Sequence, residues 1–214
     1  VIVKARNLVL PIGLALLVGG CALRGEITAT GITAVRSPCP AVAIPVQTGD
    51  VTLFNPATSR DVDALDVSAL LTNLRSTCQD VGEQVRTEVT FQVEARRTDA
   101  TAARDLTLPY FITVVRGGSQ IVSKRIGHVA LHFDAGQLRA SAPGQASAMV
   151  ERSAATLPDS VRRDLLRKRR AGEEDAAVDP LSRPDIKEAV QRATFEALIG
   201  FQLTDDQLKY NATR

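Results

Sequence analysis

The chain has no tryptophan, two tyrosines and six phenylalanines among its 214 residues. Its core must therefore rest on Val, Leu, Ile and Ala, and a stacking platform for bases or sugars has little to be built from. Neither sign of charge is in real excess. The formal +2 comes from Lys4 and Arg6, and setting those two aside leaves 24 basic against 24 acidic residues. No global field then argues for nucleic acid as a partner. The sequence has no Gly-x-Ser-x-Gly elbow, no Ser-x-x-Lys pair, no phosphate-cradling glycine loop and no dinucleotide fingerprint. The expectation is a non-enzymatic protein without a cofactor.

Histidine is scarce too. His128 and His132 are the whole complement. Val129, Leu131 and Phe133 alternate around them, which predicts a strand. Two residues four apart on a strand share a face but stand about 13 Å apart along it, too far for one metal ion. No metal site is expected, and the pair reads as solvent-facing.

Long hydrophobic runs are also missing. The apolar stretch at residues 8–18 is interrupted by Pro11 and falls short of the roughly 20 residues a spanning helix needs. Its setting is informative: Lys4 and Arg6 precede it, and Gly19 and Gly20 lie between it and Cys21. Charge, grease and small residues in that order form an export signal over residues 1–20. Val18-Gly19-Gly20-Cys21 resembles the lipobox of bacterial lipoproteins. The resemblance implies cleavage before Cys21, acylation of that cysteine, and a short tether over residues 21–25 leading from the membrane. Ala22 follows where inner-membrane retention often uses Asp, so the resemblance favours the outer membrane, periplasmic face. Val1 in place of Met is read as a non-standard start.

With Cys21 assigned to lipid, Cys39 and Cys78 remain as an even pair in an oxidising compartment. A disulfide between them is expected; two separate buried thiols are the alternative.

Residues 26–152 read as strands. Val85, Val89, Phe91 and Val93 alternate with Arg86, Glu88, Thr90 and Gln92, the pattern of a half-buried strand. Residues 106–114 alternate similarly, and Pro109 predicts an edge or a bulge there. Arg116-Gly117-Gly118-Ser119 is a turn signal, with residues 120–126 returning as a hairpin partner and 129–133 following. Further strands are expected at 26–35, 41–46, 50–54, 67–76 and 145–151. The fold class that follows is mainly β, an antiparallel β-sandwich. The pair of cysteines without an intervening Trp does not make it an immunoglobulin domain.

Residues 157–214 read as a helical C-terminal segment. Asp159 or Ser160 caps a helix to about residue 171, with Gly172 beyond its end. An acidic linker follows over 173–180. Pro184 opens a stronger helix over 185–199, with Ile186, Val190, Ala193, Ala197 and Leu198 at helical spacing and Gly200 as its stop. Thr204-Asp205-Asp206-Gln207 has the spacing of a capping box for a final short helix. Asn211-Ala212-Thr213 matches a glycosylation sequon by chance.

The densest charge lies on the first of these helices: Arg162, Arg163, Arg167, Lys168, Arg169 and Arg170, followed by Glu173, Glu174 and Asp175. Six positive charges fit an anionic lipid surface or an acidic partner. They equally fit a solvated helix answered by the neighbouring acids.

Ser37-Pro38-Cys39-Pro40, Ser76-Thr77-Cys78 and residues 193–203 resemble uncharacterised envelope lipoproteins of the alphaproteobacterial type, a resemblance that implies no activity. Taken together, the expectation is a membrane-anchored, periplasm-facing lipoprotein with a structural or protein-interaction role and an envelope protein partner. The alternative is a binder of a small ligand or anionic lipid, through the sandwich or the basic helix.

Overall fold

The structure is a computed structural model that describes residues 27–28, 31–32, 37–167, 170, 172–175 and 177–213. The expected signal segment, Cys21, the tether, Lys168 and Arg169 lie outside the described residues. The chain divides into two compact units, Val1–Ala34 and Val35–Arg214. In the first, β1 (Ile27–Thr28) pairs antiparallel with β2 (Gly31–Ile32).

The second unit is a sandwich of two four-stranded sheets. One has the order β3 (Ala41–Ala43), β10 (Phe195–Phe201), β7 (Arg104–Arg116), β8 (Gln120–Phe133). The other has β4 (Asp50–Phe54), β5 (Leu65–Val81), β6 (Gln84–Arg97), β9 (Arg139–Glu151). Every pairing in the two sheets is antiparallel except β10 with β3, which is parallel. Mainly β, two packed sheets and C-terminal helices are as the sequence led one to expect.

The core follows from period-two alternation. Along β6, Val85, Thr87, Val89, Phe91, Val93, Ala95 and Arg97 are all buried, while Glu88, Thr90, Glu94 and Arg96 are exposed. At its centre Phe91 of one sheet meets Tyr110 of the other edge to face, with ring centroids 5.0 Å apart, the favoured aromatic geometry. Each ring lies over a glycine directly across its own sheet. Tyr110 pairs with Gly127 and Phe91 with Gly144. A Cβ on Gly127 would come within 2.4 Å of the Tyr110 ring, and one on Gly144 within 2.1 Å of Phe91. The glycines are sockets for the rings. The Tyr110 hydroxyl continues across the sandwich and donates to the Gln145 carbonyl at 2.5 Å; burial pushes its phenol pKa upward.

The Cys39–Cys78 disulfide is formed, with Cα atoms 6.0 Å apart. It ties the segment leading into β3 to the far half of β5, and so links one sheet to the other.

Several expectations are corrected. Residues 120–126 return as the hairpin partner of β7, as expected, but run on through 129–133 without a break as one strand, β8, with Gly127 opposite Tyr110. β7 is an interior strand despite Pro109. β10 pairs with it only as far as Tyr110–Phe201, and just beyond that point Gln202 N donates to the Pro109 carbonyl. The missing proline N–H thus falls where the β10 ladder has ended.

The helix expected over 185–199 is α2, Pro184–Ala193, with proline in its first turn as expected. Residues 195–201, which helical spacing assigns to the end of that helix, are instead the central strand β10. Phe195, Ala197, Ile199 and Phe201 alternate into the core at 6, 0, 0 and 2% exposure. Gly200 is not a helix stop: Thr48 lies over it, with Oγ1 2.2 Å from where a Cβ would stand. The first helix, α1 (Asp159–Leu166), takes Pro158 as its N-cap and ends at Arg167, whose backbone is extended. It thus ends earlier than the expected residue 171, and the Arg167 side chain pairs with Glu173 and Asp175.

The capping box forms as written. Thr204 N donates to Gln207 Oε1 at 2.8 Å and Gln207 N to Thr204 Oγ1 at 3.3 Å, opening α3 (Asp205–Thr213). α3 lies against β4, with Tyr210 edge-on to Phe54. Asn211 is 9% exposed and its Nδ2 donates to the carbonyls of Gln47 and Asp50, so this amide is a packing group.

Candidate functional site

The most constrained polar region is an open cleft of about 350 Å³ at one end of the sandwich, lined by residues of the 55–66 and 97–104 segments. Arg97, the last residue of β6, lies at its base. The alternation of β6 delivers it to the buried face, where it is 2% exposed. Its guanidinium finds carbonyls: Nε donates to Gln137 at 2.8 Å, Nη1 to Ala102 at 2.6 Å, and Nη2 to Asp134 at 2.8 Å and Ala100 at 3.4 Å. Its carbon Cζ stands 5.0 Å from the Phe133 ring centroid, a cation–π distance. One buried cation thereby lashes two loops to the sheet ends.

Beside it, Arg104 and Asp66 form a two-pronged pair, Nη1–Oδ1 at 2.6 Å and Nη2–Oδ2 at 2.8 Å. The Asp66 hydrogen bond holds the Arg104 pKa above its ordinary value. Asp99 accepts from the Thr101 hydroxyl at 2.6 Å and the Thr101 N–H at 2.8 Å. These bonds hold its carboxyl below the usual range. Both oxygens of Asp66 are engaged, and Asp99 is a poor base. The cleft can hold a small polar group; Arg97, Arg104, Asp66 and Asp99 are spent on fixing the loops, while Asp63, which also lines it, is exposed.

His132 stands nearby in sequence from the same joint. Its Nδ1 is 2.6 Å from Asp105 Oδ1 and its Nε2 3.4 Å from Asp134 Oδ1. The hydrogen bond to Asp105, then the charge of Asp105 and of Asp134, push its pKa above 6.5. The two carboxylates sit on opposite nitrogens, an arrangement for holding an imidazolium. His128 faces solvent four residues back on β8. Among the described residues no group of three or more His, Cys, Asp or Glu is gathered as a metal site.

The basic helix is answered from within. Arg162 pairs with Asp159 at 2.6 Å, and Arg163 Nε donates to the Asp159 carbonyl at 3.3 Å. Arg167 reaches Glu173 at 3.4 Å and pairs closely with Asp175. Arg170 is exposed. Arg183 joins the helix to the start of α2 through Asp164 at 3.2 Å and Asp185 at 2.7 Å. The structure therefore engages Arg162, Arg163 and Arg167 with neighbouring acceptors and does not gather them toward one external anion.

Sequence reasoning missed two features. Arg97 ends a strand whose alternation, carried on from Val93 through Ala95, puts it inside. The other is the first half of β8, where all of residues 120–126 are exposed. Ile121, Val122 and Ile126 are 66, 54 and 53% exposed, a cluster of large apolar side chains on one short stretch.

Comparison of the chain with protein-family models, with curated proteins and with solved structures gave no match in any of the three.

Proposed function

We propose that this protein is a lipid-anchored envelope lipoprotein whose sandwich binds another protein. The observation that carries the reading is the Cys39–Cys78 disulfide. Disulfides persist in exported proteins and are rare in reducing compartments. With two of the three cysteines joined, Cys21 is the one left, and it sits after Lys4, Arg6, an apolar run and two glycines. Acylation of Cys21 would place the mature protein on the periplasmic face of a membrane, the outer membrane by the identity of Ala22. An interaction role for the tethered domain is supported by the exposed apolar cluster on β8.

The experiment is expression of the full chain in a Gram-negative envelope, followed by mass spectrometry of the N-terminal peptide and mild crosslinking in intact cells. The expected result is an acylated Cys21 at the new N-terminus, loss of membrane association in Cys21→Ala, and crosslinked species heavier than the monomer. A free Cys21 thiol still preceded by residues 1–20 would refute the anchor. Recovery of the monomer alone would count against the binding role.

A further inference from the structure

The sandwich presents four sheet edges, and three are short or partly engaged. β3 offers three residues. β4 offers five, with α3 against it and the Asp50 carbonyl taken by Asn211. β9 carries Pro143, and its Gln145 carbonyl is taken by Tyr110. Short strands, prolines and covering helices are the ordinary protections of an edge. β8 differs. It is 14 residues long, pairs with β7 on one side with a single bulge at Val122, and has no described strand on the other. Over residues 120–126 the side chains on both faces are exposed as well. A long strand with a free edge and accessible faces is a template for an incoming strand.

Charge narrows the occupant. From Leu106 to Phe133 the chain contains no Asp or Glu, while Arg116, Lys124 and Arg125 are positive. Lys124 lies over the Phe111 ring, its Nζ 5.1 Å from the centroid, so its stem is held against the sheet and its charge stays at the edge. A second copy of the chain would bring the positive charges of both β8 strands onto one seam, and like charges across strands are unfavourable. Carboxylates on the incoming strand would be favourable there for the same reason.

The geometry points to residues 120–126 of β8 as the acceptor for an added strand, an extended segment of another protein in which two adjacent acidic residues, one for each face, are flanked by apolar ones. Its backbone pairs with the free edge, its carboxylates meet Lys124 and Arg125, and its apolar side chains cover Val122 and Ile126. This names the partner chemistry of the binding reading above and rests on it, but it does not depend on the anchor at Cys21.

The test uses the full chain in detergent and a short end-blocked peptide in which two adjacent glutamates are flanked by valines. Binding is followed by fluorescence anisotropy of labelled peptide, and the site by amide hydrogen exchange. Saturable binding with slowed exchange confined to residues 120–126 is expected. Lys124→Glu with Arg125→Glu should weaken it by about tenfold or more and transfer the preference to a lysine–valine peptide. Alternate N-methylation of the peptide should abolish binding, because the edge bonds are then blocked. Equal binding of the methylated peptide, protection elsewhere, or no binding overturns the proposal. So does protection of residues 120–126 by anionic phospholipid vesicles without the peptide, or by self-association on raising concentration. If the peptide fails while cellular crosslinks to a partner persist, the β8 assignment falls and the binding role stands. Loss of both removes the role itself.

Discussion

The Phe91–Tyr110 pair makes a prediction that depends on geometry and not on residue type. Gly127→Ala adds one methyl group, and in an exposed or unhindered strand alanine is better than glycine by roughly 0.5–1 kcal/mol. Here the new Cβ would stand 2.4 Å from Tyr110 Cζ, 2.5 Å from its Oη and 2.8 Å from Cε1, far inside contact distance. The ring has little freedom to yield. Its face is set against Phe91 at an interplanar angle of 76° and its hydroxyl is held by Gln145. Overpacking of this kind costs about 1–3 kcal/mol, so Gly127→Ala should destabilise by about 2 kcal/mol. All three clashing atoms belong to the distal half of the ring, which leucine lacks. Tyr110→Leu will itself be destabilising, but in that background Gly127→Ala should be neutral or slightly favourable. The coupling between the two substitutions is thus about 2 kcal/mol or more. Urea denaturation of the four proteins, followed by far-ultraviolet circular dichroism, measures it. Additive effects, with Gly127→Ala equally costly in both backgrounds, would refute the socket.

Reduction of Cys39–Cys78, or Cys39→Ala with Cys78→Ala, releases a loop closed over a separation of 39 residues. On the chain-entropy model this lowers stability by about 4 kcal/mol; an unchanged urea midpoint with and without reductant would contradict it. Arg97→Met removes a guanidinium that serves four carbonyls and leaves them to water. A loss of about 3 kcal/mol is expected, with faster amide exchange in residues 98–103 and 134–138; exchange unchanged there would show that Arg97 does not hold the loops. His132 has a folded pKa above 6.5, set first by its bond to Asp105. The imidazolium therefore favours the folded state, a contribution complete below about pH 6.5 and lost as pH rises through the folded value. Proton NMR titration should show the raised pKa, and Asp105→Asn should bring it back toward 6.5; no movement would remove Asp105 as the cause.

Strands with one wet face were legible in the sequence. The alternation of residues 85–93 was enough to place β6, because each inward side chain had an outward polar neighbour. β10 was not legible for the opposite reason. Residues 193–203 satisfy helical spacing through Ala193, Ala197 and Leu198, and strand spacing through Phe195, Ala197, Ile199 and Phe201. The second face of β10 carries Glu196, Leu198 and Gly200, of which only Glu196 is polar, so no polar alternation separates the two patterns. The slot between β3 and β7 decides the matter, together with Thr194. Its hydroxyl donates to the Val190 carbonyl at 2.7 Å and its extended backbone closes α2. The sequence also does not mark Gly127 as the residue opposite the Tyr110 ring; only the β7–β8 register does.

The binding surface was the least legible part, and the reason is topological. Residues 120–126 read locally as an ordinary hairpin strand, and nothing in the sequence singles out Lys124 or Arg125. What makes the segment distinctive is the order β3-β10-β7-β8, which leaves β8 outermost. That order depends on β10 arriving from far along the chain, beyond β9 and two helices, to take the other side of β7. Had residues 195–201 continued α2 as a helix, β7 would have kept a second free side and the basic half of β8 would not have been singled out. The strand that sequence periodicity misassigned is therefore the one that isolates the β8 edge. Substitutions that weaken β10, such as Ile199→Ala in the core, should then loosen the whole sheet, whereas charge reversal at Lys124 and Arg125 should leave stability nearly unchanged and alter binding alone. A loss of stability on charge reversal comparable to Ile199→Ala would mean that these cations hold the sheet together and are not reserved for a partner.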